Sequence, residues 1–145
     1  MIAGINCLDK RNAALFLPLR HPAKNAMIVN ARDAQAPFTT ADGSTIRSLL
    51  DHTNAPVAKQ SLAEASLLTG GATQRHYHRE SEEFYYILEG AGTMEIDGES
   101  QSVAPGDAIL IPAGAWHQIV ADQGQELRFL CCCAPPYAHE DTYFS

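Results

Sequence analysis

The stretch that decides the fold is residues 70–90, which read GGATQRHYHRESEEFYYILEG. Successive side chains of a β-strand point to opposite faces, so a strand through this stretch places His76 and His78 on one face. The polar interval 79–81 is short enough to turn the chain, and Glu83 then opens the next antiparallel strand beside them. The pattern predicts two imidazoles and one carboxylate on a single inner surface.

A fourth polar side chain of the same kind, His117, follows the turn-like segment PAGAW at residues 112–116 and begins a later strand. Imidazole and carboxylate ligands suit Mn, Fe, Co, Ni, Cu or Zn. An octahedral metal held by four such ligands keeps two positions open, which a substrate or dioxygen would need. We expect a candidate metal site here. A metal that only stabilises the fold is the alternative.

The spacing of these residues resembles the two motifs of the cupin superfamily, especially its small single-domain bacterial members. Five positions match the first motif, with intervals of five, one, four and six residues: Gly70, His76, His78, Glu83 and Gly90. Four match the second, with intervals of five, one and two residues: Gly106, Pro112, Gly114 and His117. The second motif usually ends in Asn, where this chain has Ala121. Since that Asn is not normally a metal ligand, metal binding is still expected.

The resemblance implies an all-β fold, a double-stranded β-helix or jelly-roll barrel with a metal inside it. It carries over His76, His78, Glu83 and His117 as ligands of one divalent transition metal per chain, such as Mn, Fe, Ni or Zn. Strand parity points Glu82 outward, so we interpret it as a solvated neighbour.

The remainder of the chain is consistent with a barrel of short strands separated by Gly- and Pro-containing turns. Asp97-Gly98 is a strong hairpin signal, because its tight turn requires positive φ. Residues 27–145 are therefore predicted to form one domain, and residues 1–26 an extension that the barrel does not need for folding. The predicted strands are Met27–Ala31, Thr45–Leu50, Leu62–Thr69, Glu83–Glu89, Gly92–Asp97, Gln101–Val103, Ala108–Ile111, His117–Val120 and Leu127–Cys133.

Two predicted strands, Phe84–Leu88 and Leu127–Cys131, are largely apolar on both faces. A strand on a half-exposed sheet would alternate, so both faces are expected to be covered. A second sheet can cover one face and another subunit the other. We expect a homodimer.

Tyr85 shares the predicted inward face of Glu83 and is a candidate catalytic hydroxyl; packing in the core is an equal alternative. Aromatic packing under a loop is favoured for Trp116 over a gate at the barrel mouth. Arg47 and Arg128 are expected on a solvated outer face rather than on an anionic substrate. The consecutive cysteines at 131–133 are expected to be reduced, buried and inert.

Composition excludes several classes of protein. The 145 residues carry a net charge of −7, which opposes binding to nucleic acid or anionic lipid. No apolar run approaches the roughly 18 residues of a membrane span. Four cysteines in this length do not form a disulfide scaffold. We expect a cytoplasmic protein without nucleic-acid or membrane partners.

Three functions are consistent with a metal in such a barrel. The first is a metal-dependent enzyme, an oxygenase or an isomerase or lyase, acting on a small polar molecule. The second is a non-catalytic module whose metal anchors a carboxylate-bearing ligand. A regulator with a sensor barrel is the weakest, because the charge is wrong for DNA. Similar small cupins are often assigned as sugar-phosphate isomerases, but this sequence shows no basic cluster for a phosphate.

Overall fold

A computed structural model describes residues 27–145 of the chain. The described part consists of short β-strands and two single-turn 3-10 helices, Arg32–Ala34 and His139–Asp141. The strands are β1 (Phe38–Thr39), β2 (Thr45–Leu50), β3 (Ser61–Leu67), β4 (His76–His78), β5 (Glu82–Glu89), β6 (Gly92–Ile96), β7 (Glu99–Val103), β8 (Ala108–Ile111), β9 (His117–Ala121), β10 (Leu127–Ala134) and β11 (Thr142–Phe144).

These strands form two antiparallel sheets. The six-stranded sheet has the order β1-β2-β3-β10-β5-β8, and the five-stranded sheet has the order β11-β4-β9-β6-β7. Inward side chains from both sheets share one apolar core that includes Ile87, Ile119, Leu127 and Phe129. The predicted all-β jelly-roll fold is confirmed.

The predicted strand Met27–Ala31 is wrong, because residues 27–31 have no regular structure. Met27 and Val29 are 89% and 79% exposed. A segment with strand propensity forms a strand only where it pairs with a neighbouring strand and packs one face against a core. Within residues 27–145, this segment has no pairing strand and no core contact of that kind. The predicted extension, residues 1–26, lies outside the described residues.

The hairpin between β6 and β7 forms where Asp97-Gly98 predicted it. Asp97 and Gly98 have φ values of 49° and 91°, the left-handed conformation that this turn type requires at both positions. The hairpin fixes the register of the two strands at the rim of the five-stranded sheet.

Burial alternates along β5. Tyr85 and Ile87 are buried, whereas Phe84 and Tyr86 on the other face are 50% and 44% exposed. Among residues 27–145, therefore, only the inner face of this strand is fully covered, and the expected cover of its outer face by another subunit stays a prediction. Within residues 27–145, no helix is long and apolar enough to cross a membrane.

Candidate metal centre

The four predicted ligand residues meet inside the barrel. His76 and His78 lie on β4, Glu83 lies on β5 and His117 begins β9. One potential ligand atom from each lies within 4.8 Å of those of the other three, and all four residues are buried. Strand parity thus predicted the inward direction of each side chain correctly. Glu82 is exposed, as expected for its place on the opposite face.

The predicted route from His78 to Glu83 is wrong. β4 belongs to the five-stranded sheet and pairs with β9 and β11, whereas β5 belongs to the six-stranded sheet. Residues 79–81 therefore carry the chain from one sheet to the other. Glu83 faces the histidines across the barrel interior, not from an adjacent strand. Alternation indicates which face a residue occupies, but it does not indicate which strands pair.

A hydrogen bond at Nδ1 orients each of the three imidazoles. Nδ1 of His76 donates to the Gln74 carbonyl at 2.7 Å, and Nδ1 of His117 donates to the Ala115 carbonyl at 3.0 Å. A carbonyl only accepts, so these contacts place the hydrogen on Nδ1 and leave the Nε2 lone pair free to bind a metal.

The third imidazole is held by a residue that sequence reasoning missed. Nδ1 of His78 lies 3.2 Å from the hydroxyl oxygen of Thr142 on β11. Thr142 was not identified because β11 is three residues long and gave no pattern of its own.

Among residues 27–145, two atoms at the centre have no hydrogen-bond partner although they are fully buried: Glu83 Oε2 and His117 Nε2. Glu83 Oε2 lies 3.4 Å from His78 Nε2 and 3.5 Å from His117 Nε2. An unsatisfied buried polar atom costs about 1–3 kcal/mol. A cation among these atoms would satisfy both, and a set of three imidazoles and one carboxylate suits a divalent first-row metal. The residues fit the implied metal.

The charges at the centre also suit a metal. Burial by itself would raise the pKa of Glu83, but the imidazoles of His117 and His78 lower it to about 2. Burial and the nearby His117 lower the pKa of His76. Burial also acts to lower the pKa of His78, but Glu83 outweighs it and raises that pKa. Metals require an ionised carboxylate and neutral imidazoles, so Glu83 and His76 are already in the ligand form, whereas His78 would release a proton when a metal binds.

Cys133 is a further residue that the sequence did not reveal as part of the site. Its thiol donates to Glu83 Oε1 at 3.3 Å, and the two residues are cross-strand partners on β10 and β5. Cys131 and Cys133 are buried and Cys132 is half-buried, all as free thiols. They were expected to be inert, and parity gave no sign that one of them contacts a ligand.

Tyr85 lies beside the four residues. It is 3% exposed, its ring centroid is 6.2 Å from that of His117, and it packs against Phe129 at 4.6 Å. Burial, followed by the charge of Glu83, raises its pKa well above the ordinary value of 10. The phenol therefore keeps its proton at neutral pH. It both lines the cavity and packs in the core, so neither expectation excluded the other.

A cavity leads from solvent to three of the four residues. It is open at its mouth, and His76, His78, Glu83 and Tyr85 line it. Most of the remaining wall is aromatic, aliphatic or hydroxyl-bearing. A small molecule could therefore reach a metal held at the centre.

Three other residues considered from the sequence lie away from the cavity. Trp116 packs against Tyr77, with ring centroids 4.7 Å apart, which is the packing role expected for it. Arg47 donates to a backbone carbonyl, and Arg128 forms ion pairs with two glutamates. Neither arginine lines the cavity, although both are half-buried rather than fully solvated.

Comparisons with known proteins agree with this architecture. A family model described as a cupin domain matches residues 63–133. The uncharacterized protein MJ1618 of Methanocaldococcus jannaschii is 48% identical over 110 residues, which cover 76% of this chain and 88% of that protein. Quercetin 2,3-dioxygenase of Bacillus subtilis is 30% identical over 83% of this chain, but the match covers only 36% of the enzyme.

Solved structures show the same fold. The polyketide cyclase RemF from Streptomyces resistomycificus superposes with a TM-score of 0.67 and is 29% identical. The superposition covers 80% of this chain and 89% of that structure.

Proposed function

The chain belongs to the cupin superfamily, and we propose that it is a metal-dependent enzyme that acts on a small molecule inside the barrel. The observation that carries this proposal is the pair of buried, unpartnered atoms, Glu83 Oε2 and His117 Nε2. Glu83 lines a cavity that opens to solvent, and His117 Nε2 lies 3.5 Å from Glu83 Oε2. Four protein ligands on an octahedral metal would leave two positions free for the substrate.

The chain's own residues would bind the metal and donate a hydrogen bond to the substrate. A bound divalent metal supplies Lewis acidity that polarises a coordinated oxygen. His76, His78, Glu83 and His117 would hold it. Tyr85 retains its proton because burial raises its pKa, so its hydroxyl is suited to donating a hydrogen bond to a substrate oxygen on which negative charge develops. This favours proton-transfer chemistry of the isomerase or lyase class.

The resemblance to RemF supports this class, because the polyketide cyclase covers nearly the whole barrel. Resemblance to part of a quercetin dioxygenase supports an oxygenase as the second candidate. We place the activity in the cytoplasm, which is supported by the free thiols of Cys131, Cys132 and Cys133.

Hydrogen–deuterium exchange tests the proton-transfer proposal. Protein loaded with Mn, Fe(II), Ni or Zn is incubated in D2O with a panel of hydroxylated ketones, and exchange next to the carbonyl is followed by NMR. We expect metal-dependent exchange that Tyr85→Phe slows roughly a hundredfold. Oxygen consumption with Fe(II) in place of exchange would reassign the protein to the oxygenases. Binding of a ketone without either reaction would favour the non-catalytic module.

A further inference from the structure

We infer that the ligand of this cavity is a molecule without negative charge that carries an aromatic ring and two adjacent oxygen donors, and is not a phosphorylated sugar. This inference rests on the proposed function, because the oxygen donors would occupy the free metal positions. It is carried by the charges and the ring side chains that line the cavity.

The charged side chains of the lining are acidic apart from the two histidines. Asp42, Asp51 and Glu83 contribute carboxylates, and no lysine or arginine among residues 27–145 lines the cavity. A divalent metal beside Glu83 would offset that carboxylate, but the other two would still repel an anion. Proteins that bind phosphate place arginine, lysine or backbone N–H groups around it.

The arginines of the described residues are engaged elsewhere. Arg47 donates to the Gln35 carbonyl. The remaining four form ion pairs with glutamates outside the cavity lining: Arg32 with Glu64, Arg75 with Glu95, Arg79 with Glu80, and Arg128 with Glu64 and Glu89. None of them is available to the cavity without breaking an existing contact.

Asp42 and Asp51 are held in place by hydrogen bonds. Asp42 Oδ1 accepts from Ser44 N at 3.0 Å and from Ser44 Oγ at 2.8 Å. Asp51 Oδ1 accepts from Thr53 N at 2.7 Å. Burial raises the pKa of Tyr137, which lines the cavity, and the charges of Asp42 and Glu83 raise it further. Asp42 and Asp51 both line the cavity, so their charges would act on a ligand inside it.

Aromatic rings line the path from the mouth to the metal ligands. Phe38 and Tyr137 are 49% and 41% exposed. The ring centroid of Tyr137 lies 5.9 Å from that of His78, and the ring centroid of Phe144 lies 5.8 Å from that of His76. Phe129 packs against Tyr85. Rings of this kind favour offset or edge-on contact with an aromatic ligand. Together with the acidic charge, they select for an aromatic molecule that is not an anion.

Ligand titration of the cobalt-loaded protein tests this inference. The probes are 2′-hydroxyacetophenone (uncharged, with phenol and carbonyl oxygens on one ring), salicylate (its anionic counterpart), fructose 6-phosphate and fructose. The readout is the visible absorption of the bound cobalt. We expect 2′-hydroxyacetophenone to shift the bands at the lowest concentration and both sugars to have little effect.

An Asp42→Asn variant isolates the contribution of charge, because asparagine keeps the Oδ1 acceptor for Ser44. It should strengthen salicylate binding roughly threefold to tenfold and leave 2′-hydroxyacetophenone within about twofold. Asp122→Asn is the matched control, since it makes the same change in net charge at an exposed residue outside the cavity lining. Equal effects of the two variants would overturn the assignment of charge selection to the cavity.

The outcomes separate this inference from the function on which it rests. Protein that shows no cobalt bands contradicts the metal site itself. Cobalt bands that respond most strongly to salicylate, fructose 6-phosphate or fructose, or to none of the probes, overturn the inferred ligand class and leave the metal site standing.

Discussion

The two carboxylate oxygens of Glu83 have different surroundings. Oε1 accepts a hydrogen bond from the Cys133 thiol at 3.3 Å, whereas Oε2 has no partner and lies among the imidazoles. The thiol therefore fixes the rotation of the carboxylate and leaves one oxygen facing the metal position. In characterised sites, loss of a hydrogen-bond partner of this kind lowers metal affinity roughly 10- to 100-fold.

Removing the thiol donor should weaken metal binding. We expect Cys133→Ala to raise the metal Kd roughly tenfold and Cys133→Ser, which keeps a donor, to raise it much less. Competition with a chromophoric chelator measures both constants. Cys132→Ser is the control, because Cys132 points to the opposite face of β10. Equal constants for the alanine variant and the unmodified protein would show that the thiol does not position Glu83.

The low pKa of Glu83 predicts how acid affects the metal-free protein. A carboxyl whose pKa falls from 4.5 in the unfolded chain to about 2 on folding contributes about 3 kcal/mol to stability above pH 4.5. That contribution is lost as the pH falls from 4.5 towards 2, because the unfolded state takes up the proton first. Urea unfolding at several pH values should show that the free energy of unfolding falls more steeply with acid for the unmodified protein than for Glu83→Gln.

Glu82→Gln is the reference for that comparison, because Glu82 is exposed one residue away on the same strand. Its unfolding free energy should follow the unmodified protein over the whole range. If Glu83→Gln loses stability in acid as steeply as the unmodified protein, the buried carboxylate is not the group that titrates.

At the scale of the element, strand positions were more predictable than strand partners. β2 and β8 begin and end as expected. Parity also gave the inward face of β4 and β5 correctly. It could not show that these two strands lie in different sheets, because pairing depends on contacts between distant parts of the chain. The approach of Cys133 to Glu83 was hidden for the same reason.

The strand β11 shows why a short element can matter to a site. Its three residues are too few for a recognisable period, yet Thr142 contacts His78 Nδ1 and Phe144 lines the cavity. We expect Thr142→Val to weaken metal binding roughly tenfold and Thr142→Ser to preserve it.

Calorimetric titration with a divalent metal measures these affinities. Tyr143→Phe serves as the control, because Tyr143 points away from the site and stacks on Tyr77 with a 4.9 Å centroid distance. A valine variant that binds metal as tightly as the serine variant would remove Thr142 from the set of positioning residues.

At the scale of the whole molecule, nothing among residues 27–145 covers the outer face of the six-stranded sheet. Phe84 and Leu110 are cross-strand neighbours there and are 50% and 53% exposed, next to Tyr86 at 44%. Contiguous exposed apolar side chains of this kind mark interaction surfaces. We propose that a second copy of the chain covers this face.

The proposed homodimer predicts a dimeric mass by light scattering at micromolar concentration and an interface of more than about 1,000 Å². Leu110→Glu should raise the dimer Kd roughly tenfold or more, because it places a charge in an apolar interface. Val120→Glu is the control, since Val120 is 38% exposed but lies on the other sheet. A monomeric mass for the unmodified protein would exclude the dimer.

The proposed activity requires a metal held by His76, His78, Glu83 and His117, and metal analysis of matched variants tests this most directly. Each purified protein is supplied with a divalent metal, desalted and measured for metal per chain, with circular dichroism to verify the fold. We predict one metal per chain in the unmodified protein and in Glu82→Ala. His78→Ala and Glu83→Ala should fold and retain almost none. An unmodified protein that remains without metal after this treatment, or a Glu83→Ala variant that keeps a full equivalent, would contradict the account.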